Sequence, residues 1–438
     1  MPAEGRESLP PALVWVLDQL APYYWRRHRE LVPPPQPAGL FPRARYLPPR
    51  PRWVHLPEWA ADLGVEGRLL VPAEAVAAGR GPTWRRTHWL WACFWFLSGT
   101  AEWAWERSRG TVLSYSRALQ GWNPVWWRHA WVNRMARFLR RWAARRRERA
   151  EEELFGALPE ARFWLTHDVD AVHKDLTLRI KQVTVALGKA GGCLWRRDHR
   201  GLSRSLREAL RRGLGPGDYW RFEEIMELER RRGVRSLFFF FAAAGNRSLA
   251  ARFLDPSYRV THPTLTALLA RLRRQGWGVG LHPSFASWRD ASRLRAERRC
   301  LERALGEPVS ACRQHWLRFS WGDTWRAQQE AGLSLDATLG FNDRPAFRNG
   351  AAIRFQPWDH RQGEPLRLYA VPLLFMDAHF YDRPASRPED LGQAMAQWLD
   401  EVREVGGEVS LLWHQRVLSP DYGWGEGFRL LLQMLSSG

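Results

Sequence analysis

The stretch Phe163-Trp164-Leu165-Thr166-His167-Asp168-Val169-Asp170 is a short apolar run that ends in imidazole and carboxylate side chains. We predict a strand over Phe163–Leu165, and six further apolar runs of this kind follow: Ser236–Phe241, Val279–Leu281, Val309–Cys312, Leu333–Ala337, Tyr369–Phe375 and Val409–Trp413. Helical patterns lie between them, over 219–232, 264–275, 322–331 and 388–404. Strands that alternate with helices indicate parallel strands joined by βαβ crossovers. Seven such units predict an α/β fold of the (β/α) barrel class.

Polar side chains directly follow five of the seven predicted strands. They are Asp168 and Asp170, His282, Arg313 and His315, Asp377, and His414. Because functional residues of such barrels collect at the carboxyl ends of the strands, we expect these side chains to meet at one end. The sequence contains no GxGxxG or GxxxxGK[ST] motif, so it gives no support to a nucleotide-phosphate site.

Asp168 and Asp170 lie two residues apart, so both carboxylates point to the same side of an extended strand. One carboxylate can then bind a divalent metal while its neighbour acts as a base toward water. Two other interpretations stay open for this pair: an Asx turn at a strand end, and the DxD motif of a metal-dependent glycosyltransferase.

Histidine and arginine side chains extend the candidate chemistry. His282 would suit zinc as a neutral imidazole, although a single histidine is more often structural. Arg313 can clamp or orient a carboxylate. His414 can act as a general acid, because histidine protonates near neutral pH.

Four motifs resemble the polysaccharide deacetylase family, the NodB-homology or carbohydrate esterase family 4 group: Leu165–Asp170 (LTHDVD), Gly280–Ser284 (GLHPS), Arg313–Phe319 (RQHWLRF) and Leu412–His414 (LWH). HDVD and RQHxLRF are similar to the motifs of one bacterial branch. The resemblance covers about residues 155–435. It implies a distorted (β/α)7 barrel and a metal-dependent hydrolase that removes acetyl groups from a carbohydrate.

The same resemblance implies a role for each matching residue. Asp168 matches the catalytic base and His414 the catalytic acid, while Arg313 matches the arginine that orients the base. Asp170 and His282 match metal ligands. Asp377 matches the aspartate that holds the arginine. The cofactor expected is a divalent metal, with zinc the first candidate.

One position departs from the family pattern. The second histidine of the metal-binding HxxxH motif would fall at position 286, which is alanine. His315, His379 or His167 could supply the missing ligand, and we select His315. The alternative is a catalytically impaired, carbohydrate-binding protein on the same fold. Tryptophans near the strand ends could stack on sugar faces, and we select Trp316 and Trp413 as substrate-binding residues.

The chain of 438 residues has a formal net charge of +20, which raises nucleic acid or an anionic membrane surface as partners. However, lysine accounts for only three of the 66 basic residues, at positions 174, 181 and 189. Selection for phosphate binding would not exclude lysine. A GC-rich genome explains the excess of arginine more simply, so nucleic acid is disfavoured.

The charge is concentrated in residues 1–150, which hold 24 arginines against 11 acidic residues and 15 of the 27 tryptophans. We predict a basic, Trp-rich accessory domain over 1–150 and a deacetylase-like barrel over 155–438. Helical patterns cover 8–30, 84–107 and 121–149. The arginine run within 140–149 is interpreted as a solvated helix face, or alternatively as a contact for an anionic glycan or membrane surface.

The four cysteines are far apart and form no CxxC motif, so neither a zinc ribbon nor a disulfide framework is indicated. No secretion signal is recognised, and the longest apolar run, Trp89–Leu97, is too short to span a bilayer. We therefore expect a cytoplasmic location.

Overall fold

The front of the chain folds into short helices around a two-stranded antiparallel sheet. The computed structural model describes residues 9–26, 28, 32, 44, 46–195, 197–215, 217–242, 253–381 and 388–436, so most of the Pro-rich segment 33–51 lies outside the described residues. In chain order the front elements are α1 (Pro11–Tyr24), β1 (Pro51–His55), β2 (Arg68–Pro72), α2 (Trp89–Leu97), α3 (Thr100–Arg109), α4 (Trp131–Arg145) and α5 (Glu151–Phe155).

The helix expected over 84–107 is interrupted between α2 and α3. Gly99 adopts a left-handed conformation there, with φ of 60°. A Cβ at this position would lie 2.3 Å from the Trp321 ring, which comes from the later part of the chain. Glycine therefore allows both the turn and the close packing of the tryptophan.

From residue 162 onward, strands and helices alternate as the sequence predicts. In chain order these elements are β3 (Arg162–Val169), α6 (Leu176–Trp195), α7 (His199–Leu214), α8 (Phe222–Arg231), β4 (Leu237–Phe241), α9 (Pro263–Arg274), β5 (Gly278–His282), α10 (Ala291–Leu305), β6 (Ala311–Cys312), α11 (Thr324–Glu330), β7 (Leu335–Asp336), β8 (Trp358–Asp359), β9 (Glu364–Pro365), β10 (Tyr369–Ala370), β11 (Leu373–Met376), α12 (Ala378–Tyr381), α13 (Pro388–Val405), β12 (Glu408–Leu412) and α14 (Gly425–Ser436).

The large sheet is parallel throughout, in the order β10-β7-β6-β5-β4-β3-β12-β11. Its two edge strands, β10 and β11, belong to one passage of chain over 369–376. Tyr369 and Ala370 pair with β7, whereas Leu373–Met376 pairs with β12. This passage therefore joins both edges and closes seven strand passages into a distorted (β/α)7 barrel, which confirms the predicted fold class.

The core of the barrel follows from its apolar strands. In β4 the four phenylalanines 238–241 are fully buried, as expected for a parallel strand that is covered on both faces. The strand ends that carry polar residues point to one end of the barrel, where the parallel register brings β3, β4 and β5 into line.

The front third and the barrel share one hydrophobic cluster. Trp15, Phe94 and Trp127 from the front pack in the same cluster as Trp325 and Phe355 from the barrel. Buried ion pairs cross the same joint, since Arg134 of α4 contacts Glu401 of α13 at 2.7 Å and Arg348 pairs with Glu102 of α3. The boundary between residues 150 and 155 stays a prediction, and extensive packing crosses it.

The arginine run at the end of α4 is only partly a solvated face. Arg140 is 1% exposed, and it donates hydrogen bonds to the carbonyl oxygens of Tyr24 and Gly156. Arg141 pairs with Glu151 at 2.6 Å. The interpretation of the whole run as a solvated face is therefore wrong at Arg140, which joins the front helices to one another.

Candidate functional site

The strand ends line a cleft of about 620 Å³ at the carboxyl end of the barrel. Six of the predicted site residues lie on its wall: Asp168, Asp170, His282, His315, Trp316 and His414. Arg313 and Asp377 lie directly behind that wall, at 0% and 1% exposure. The topology thus brings together residues from five strand ends that are far apart in the sequence.

Asp170, His282 and His315 form a compact cluster of three potential metal ligands. The Nε2 atom of His282 lies 3.2 Å from Asp170 Oδ1, and the Nδ1 atom of His315 lies 3.5 Å from the same oxygen. The two ring nitrogens are 2.8 Å apart. Two imidazole nitrogens and one carboxylate oxygen therefore point toward a common centre.

The outer nitrogens of these two rings determine their protonation. His282 donates from Nδ1 to the carbonyl of Arg313 at 2.7 Å, and His315 donates from Nε2 to the carbonyl of Leu254 at 3.0 Å. A carbonyl only accepts, so in the neutral rings the two inner nitrogens carry lone pairs. Such outer hydrogen bonds orient histidines that bind metals.

Asp170 Oδ1 completes this arrangement of acceptors. It is buried and, among the described residues, has no hydrogen-bond partner of acceptable geometry. Three lone-pair-bearing atoms that face one another at about 3 Å need a cation or an added proton between them. The donor set of two imidazoles and one carboxylate fits a transition metal such as zinc.

A strained turn after β6 delivers His315 to this cluster. Trp316 and Leu317 have φ of 60° and 49°, which are left-handed values that large side chains rarely adopt. The turn directs His315 inward and leaves Trp316 37% exposed at the cleft. Ala286, where the family motif has histidine, is exposed on the loop after β5.

The other two candidates for the third ligand are used elsewhere. His167 is fully buried and bonds to the Trp413 carbonyl at 2.5 Å and to Glu229 at 2.7 Å. His379 donates to the Phe341 carbonyl at 2.9 Å and accepts from the Met376 amide at 3.1 Å. His315 is therefore the one of the three that lies beside Asp170 and His282.

Asp168 lies between Arg313 and the histidine cluster. Its Oδ1 is 3.4 Å from Arg313 Nη1, and its Oδ2 is 3.9 Å from His282 Nε2. Arg313 is fully buried and donates further bonds to Thr166 Oγ1 at 2.6 Å and Ser410 Oγ at 3.1 Å. The guanidinium is thus held in one orientation behind the carboxylate.

Asp377 holds His414 rather than Arg313. It accepts the backbone amide of His414 at 2.5 Å and the Nδ1–H of its ring at 3.0 Å. The sequence expectation that Asp377 binds the arginine is wrong. The Arg313 guanidinium is bound by Thr166, Asp168 and Ser410, whereas the carboxylate of Asp377 is bound by the backbone and ring of His414. The Nε2 atom of His414 faces the cleft, 3.6 Å from Asp170 Oδ2.

The charges at the site shift its pKa values in opposite directions. Burial lowers the pKa of His282 and of His414, but the Asp168 and Asp377 carboxylates respectively outweigh burial, so both pKa values lie above the usual one. Burial raises the pKa of Asp170, but Arg416 and the histidines outweigh it, so this pKa lies well below its usual value. The ionised carboxylate is the form that binds a metal.

Arg416 is a site residue that the sequence analysis missed. It follows His414 by two residues and forms an ion pair with Asp170 Oδ2, while its Nε contacts Tyr422 at 3.3 Å. It lies in a helical turn over Gln415–Leu418, beyond the end of β12, so the alternation of a strand does not indicate it.

The front third also contributes to the cleft, which the sequence analysis did not foresee. Tyr115 and Arg117 line it together with Asn342 and Asp343. Asp343 fixes this loop by accepting from Ser116 N and Oγ, both at 2.9 Å. The front region therefore forms part of the cleft wall.

The prediction that Trp413 binds substrate is wrong. Its side chain is fully buried among Phe428 and Tyr381 and contributes to the barrel core. Trp413 and His414 are adjacent in an extended segment, so their side chains point to opposite sides. When His414 faces the cleft, Trp413 must face the core. Trp316 stays a candidate for stacking on a sugar.

Solved structures similar to this chain include three from the family that the motifs resemble. A putative polysaccharide deacetylase from Mycobacterium smegmatis is 15% identical, with 64% of this chain and 86% of that chain covered and a TM-score of 0.36. A family 4 acetyl xylan esterase from Clostridium thermocellum, solved with a cobalt ion, is 12% identical over 63% of this chain and 84% of that chain, with a TM-score of 0.27. A CE4 family pseudoenzyme from Bacillus anthracis is 10% identical over 65% and 68%, also at 0.27. No protein-family model and no curated protein matches the chain.

Proposed function

We propose that this chain is a metal-dependent hydrolase that removes acetyl groups from a carbohydrate. The observation that carries the proposal is the convergence of His282 Nε2, His315 Nδ1 and Asp170 Oδ1 beside a carboxylate and a second imidazole in one cleft. Three protein ligands that leave an open coordination position are typical of catalytic zinc sites. When bound there, a zinc ion would act as a Lewis acid that polarises the acetyl carbonyl.

Asp168 is the proposed base. Its carboxylate lies at the cleft wall and takes a proton from the water that attacks the acetyl carbon. Arg313, 3.4 Å away and held by Thr166 and Ser410, keeps this carboxylate in position.

His414 is the proposed acid. Asp377 binds its Nδ1–H, so Nε2 is the atom that faces the cleft and can give a proton to the departing sugar nitrogen or oxygen. The raised pKa of His414 keeps this ring protonated to a higher pH than a free histidine.

The carbohydrate substrate class rests on the motif resemblance and on the form of the cleft. Trp316 offers an exposed indole face at the wall, and Asn342, Asp343 and Arg117 offer polar groups beside it. An exposed aromatic face next to hydrogen-bonding side chains suits the apolar face and hydroxyl edge of a sugar ring.

The test combines metal analysis with acetate release from N-acetylated and O-acetylated oligosaccharides. We expect about one equivalent of zinc and acetate release by the wild-type protein. Asp168→Asn should keep the metal and lose hydrolysis, whereas His315→Ala should lose both. His55→Ala, at an exposed histidine in the front sheet, is the matched control and should change neither.

Two outcomes would contradict the proposal. One is a wild-type protein without metal whose acetate release equals that of Asp168→Asn. The other is binding of acetylated oligosaccharides without hydrolysis in the presence of added zinc, which would identify a carbohydrate-binding protein. We further propose a cytoplasmic location, which fractionation of cells that express the full chain would test.

A further inference from the structure

In the hairpin of α6 and α7, small side chains are buried between the helices and many large apolar side chains are exposed to solvent. Small residues are buried in it, namely Ala186 and Ala190 of α6 and Ser205 and Ala209 of α7. The helices approach closely, because a Cβ at Gly213 would lie 3.2 Å from the Val183 side chain. In a hairpin stabilised in water, large apolar residues would occupy this interface.

Most of the described large apolar side chains of the hairpin instead lie on its outside, whereas Leu178, Val183 and Leu202 are half-buried. Trp195 is 86% exposed and Leu214 is 82% exposed. Eight of the twelve exposed large hydrophobic residues in the described part of the chain belong to this hairpin: Leu176, Ile180, Leu187, Leu194, Trp195, Leu206, Leu210 and Leu214. An apolar surface of this kind on a water-soluble protein marks an interaction site.

The sequence of the hairpin is also strongly basic. Residues 176–214 contain ten arginine and lysine residues against two acidic ones, and two of the three lysines of the chain are among them. Exposed arginines, such as Arg197 and Arg207, lie on the same hairpin as the exposed leucines. A surface that combines apolar and positive groups is complementary to an anionic lipid headgroup layer.

We propose that this hairpin binds the surface of an anionic lipid bilayer, with its leucines and Trp195 in the acyl boundary and its basic residues on the headgroups. Among the described residues, no helix is long and apolar enough to cross a membrane. In the proposed arrangement the two helices lie along the interface.

A protein partner or a second copy of the chain fits the hairpin less well. Two hairpins that each carry an excess of eight positive charges would repel one another. A helix pair that combines exposed leucine and tryptophan with many arginines has the composition of interfacial helices.

The hairpin also forms part of the cleft wall. Leu178 and Gln182, in the first turns of α6, line the cleft. Phe253 and Trp316, which are 44% and 37% exposed, lie at the same cleft. A hairpin that lies on a bilayer would hold the cleft beside the lipid surface, where a glycan attached to a lipid is available.

The test uses the full-length protein and co-sedimentation with vesicles. Vesicles of equal parts phosphatidylglycerol and phosphatidylcholine should bind the wild-type protein, and binding should weaken as salt rises. Vesicles of phosphatidylcholine alone should bind at least about tenfold more weakly. Absence of binding to the anionic vesicles, or equal binding to both, would overturn the proposal.

Two pairs of variants locate the contact. The double variant Leu194→Ser, Trp195→Ser should weaken binding at least about tenfold, whereas Tyr369→Ser, at an exposed aromatic outside the hairpin, should not. Arg197→Glu with Arg207→Glu should likewise weaken binding more than about tenfold. Arg146→Glu with Arg147→Glu, at exposed arginines of the front third, should leave it unchanged.

All substituted positions are exposed, so each variant should keep the wild-type melting temperature. An equal loss of binding in the front-third control would overturn the proposal, because the front region would then be the membrane contact. Vesicle binding is measured without substrate or metal, so its failure leaves the proposed hydrolase function unaffected.

Discussion

Two groups of buried charged side chains serve opposite purposes in this molecule. At the joint between the front third and the barrel, Arg348 donates to Glu102 and to the carbonyls of Gly340 and Leu113, so donor and acceptor atoms are matched. At the strand ends, Asp170, His282 and His315 direct acceptor atoms at one another.

The difference teaches how a structural cluster can be told from a functional one. A buried charge with matched partners is complete within the protein, and its loss affects the fold. Buried acceptors that face one another are complete only when a cation is added, so their loss should affect binding and chemistry more than folding. Four perturbations test this contrast.

The largest effect is expected from removal of a ligand at the strand ends. His315→Ala should lower the zinc content to below about a tenth of an equivalent and acetate release by about 10³-fold or more. Its melting temperature without metal should stay close to that of the wild type, because the deleted ring relieves a contact between two acceptors. Mass spectrometry of the bound metal and a thermal scan provide both measurements.

The distinction between the two clusters would be wrong if His315→Ala kept its zinc and lost as much unfolding free energy as Glu102→Gln. That outcome would assign the histidine cluster a structural role. A rescue of metal binding by His315→Cys, which restores a soft ligand at the same position, would separate loss of the ligand from loss of the strained turn.

The second effect is expected at the joint. Glu102→Gln keeps the size of the side chain but leaves the fully buried Arg348 without its counter-charge, which should cost about 3–5 kcal/mol of unfolding free energy. Urea denaturation measures this loss, and zinc content should not change. Glu227→Gln, which breaks an exposed pair with Arg230, is the control and should leave stability unchanged.

The sequence predicts which side chains meet at the site, because parallel strands place their carboxyl ends at the same end of the barrel. Each of the seven strands was recognisable as a short apolar run, and polar residues at their ends had to meet. The sequence predicts one strand over Tyr369–Phe375, whereas the structure divides the passage 369–376 between both sheet edges, which closes the barrel. Register alone places Asp170 and His282 at the same end.

Other features depend on tertiary geometry that a sequence does not express. Of the three candidate histidines, His315 is the one beside Asp170 and His282. The turn that follows it has left-handed conformations at Trp316 and Leu317, which the backbone preferences of these residue types do not predict. The pairing of Asp377 with His414 depends on how side chains from separate strands meet inside the barrel. The burial of Trp413, in contrast, follows from alternation with His414 and could have been predicted.

A smaller effect is expected from the pH dependence of the joint. Burial raises the pKa of Glu401, but Arg134 and His129 outweigh it and lower the pKa to about 2 from 4.5. The carboxylate therefore stabilises the fold above about pH 4.5, and this contribution is lost as the pH falls toward 2. The total loss is about 3 kcal/mol.

Urea denaturation at pH 6 and pH 3 measures this dependence. The wild type should lose more stability than Glu401→Gln over that interval, because only the wild type titrates at this position. Parallel loss in both proteins would show that Glu401 is not coupled to Arg134 in the folded state, and the joint would then no longer be the matched cluster that the comparison requires.

The smallest effect concerns Arg416, the residue at which the two kinds of cluster meet. Its guanidinium forms an ion pair with Asp170 Oδ2, as in the structural cluster at the joint. The other oxygen, Asp170 Oδ1, points toward the histidines. A positive charge this close opposes the arrival of a cation and withdraws charge from the carboxylate. Arg416→Gln can still donate a hydrogen bond to Oδ2 but removes the charge, so zinc affinity should rise about tenfold in a chelator competition assay. A fall in affinity would instead show that Arg416 positions Asp170, and the distinction between the clusters would then rest on the two histidines alone.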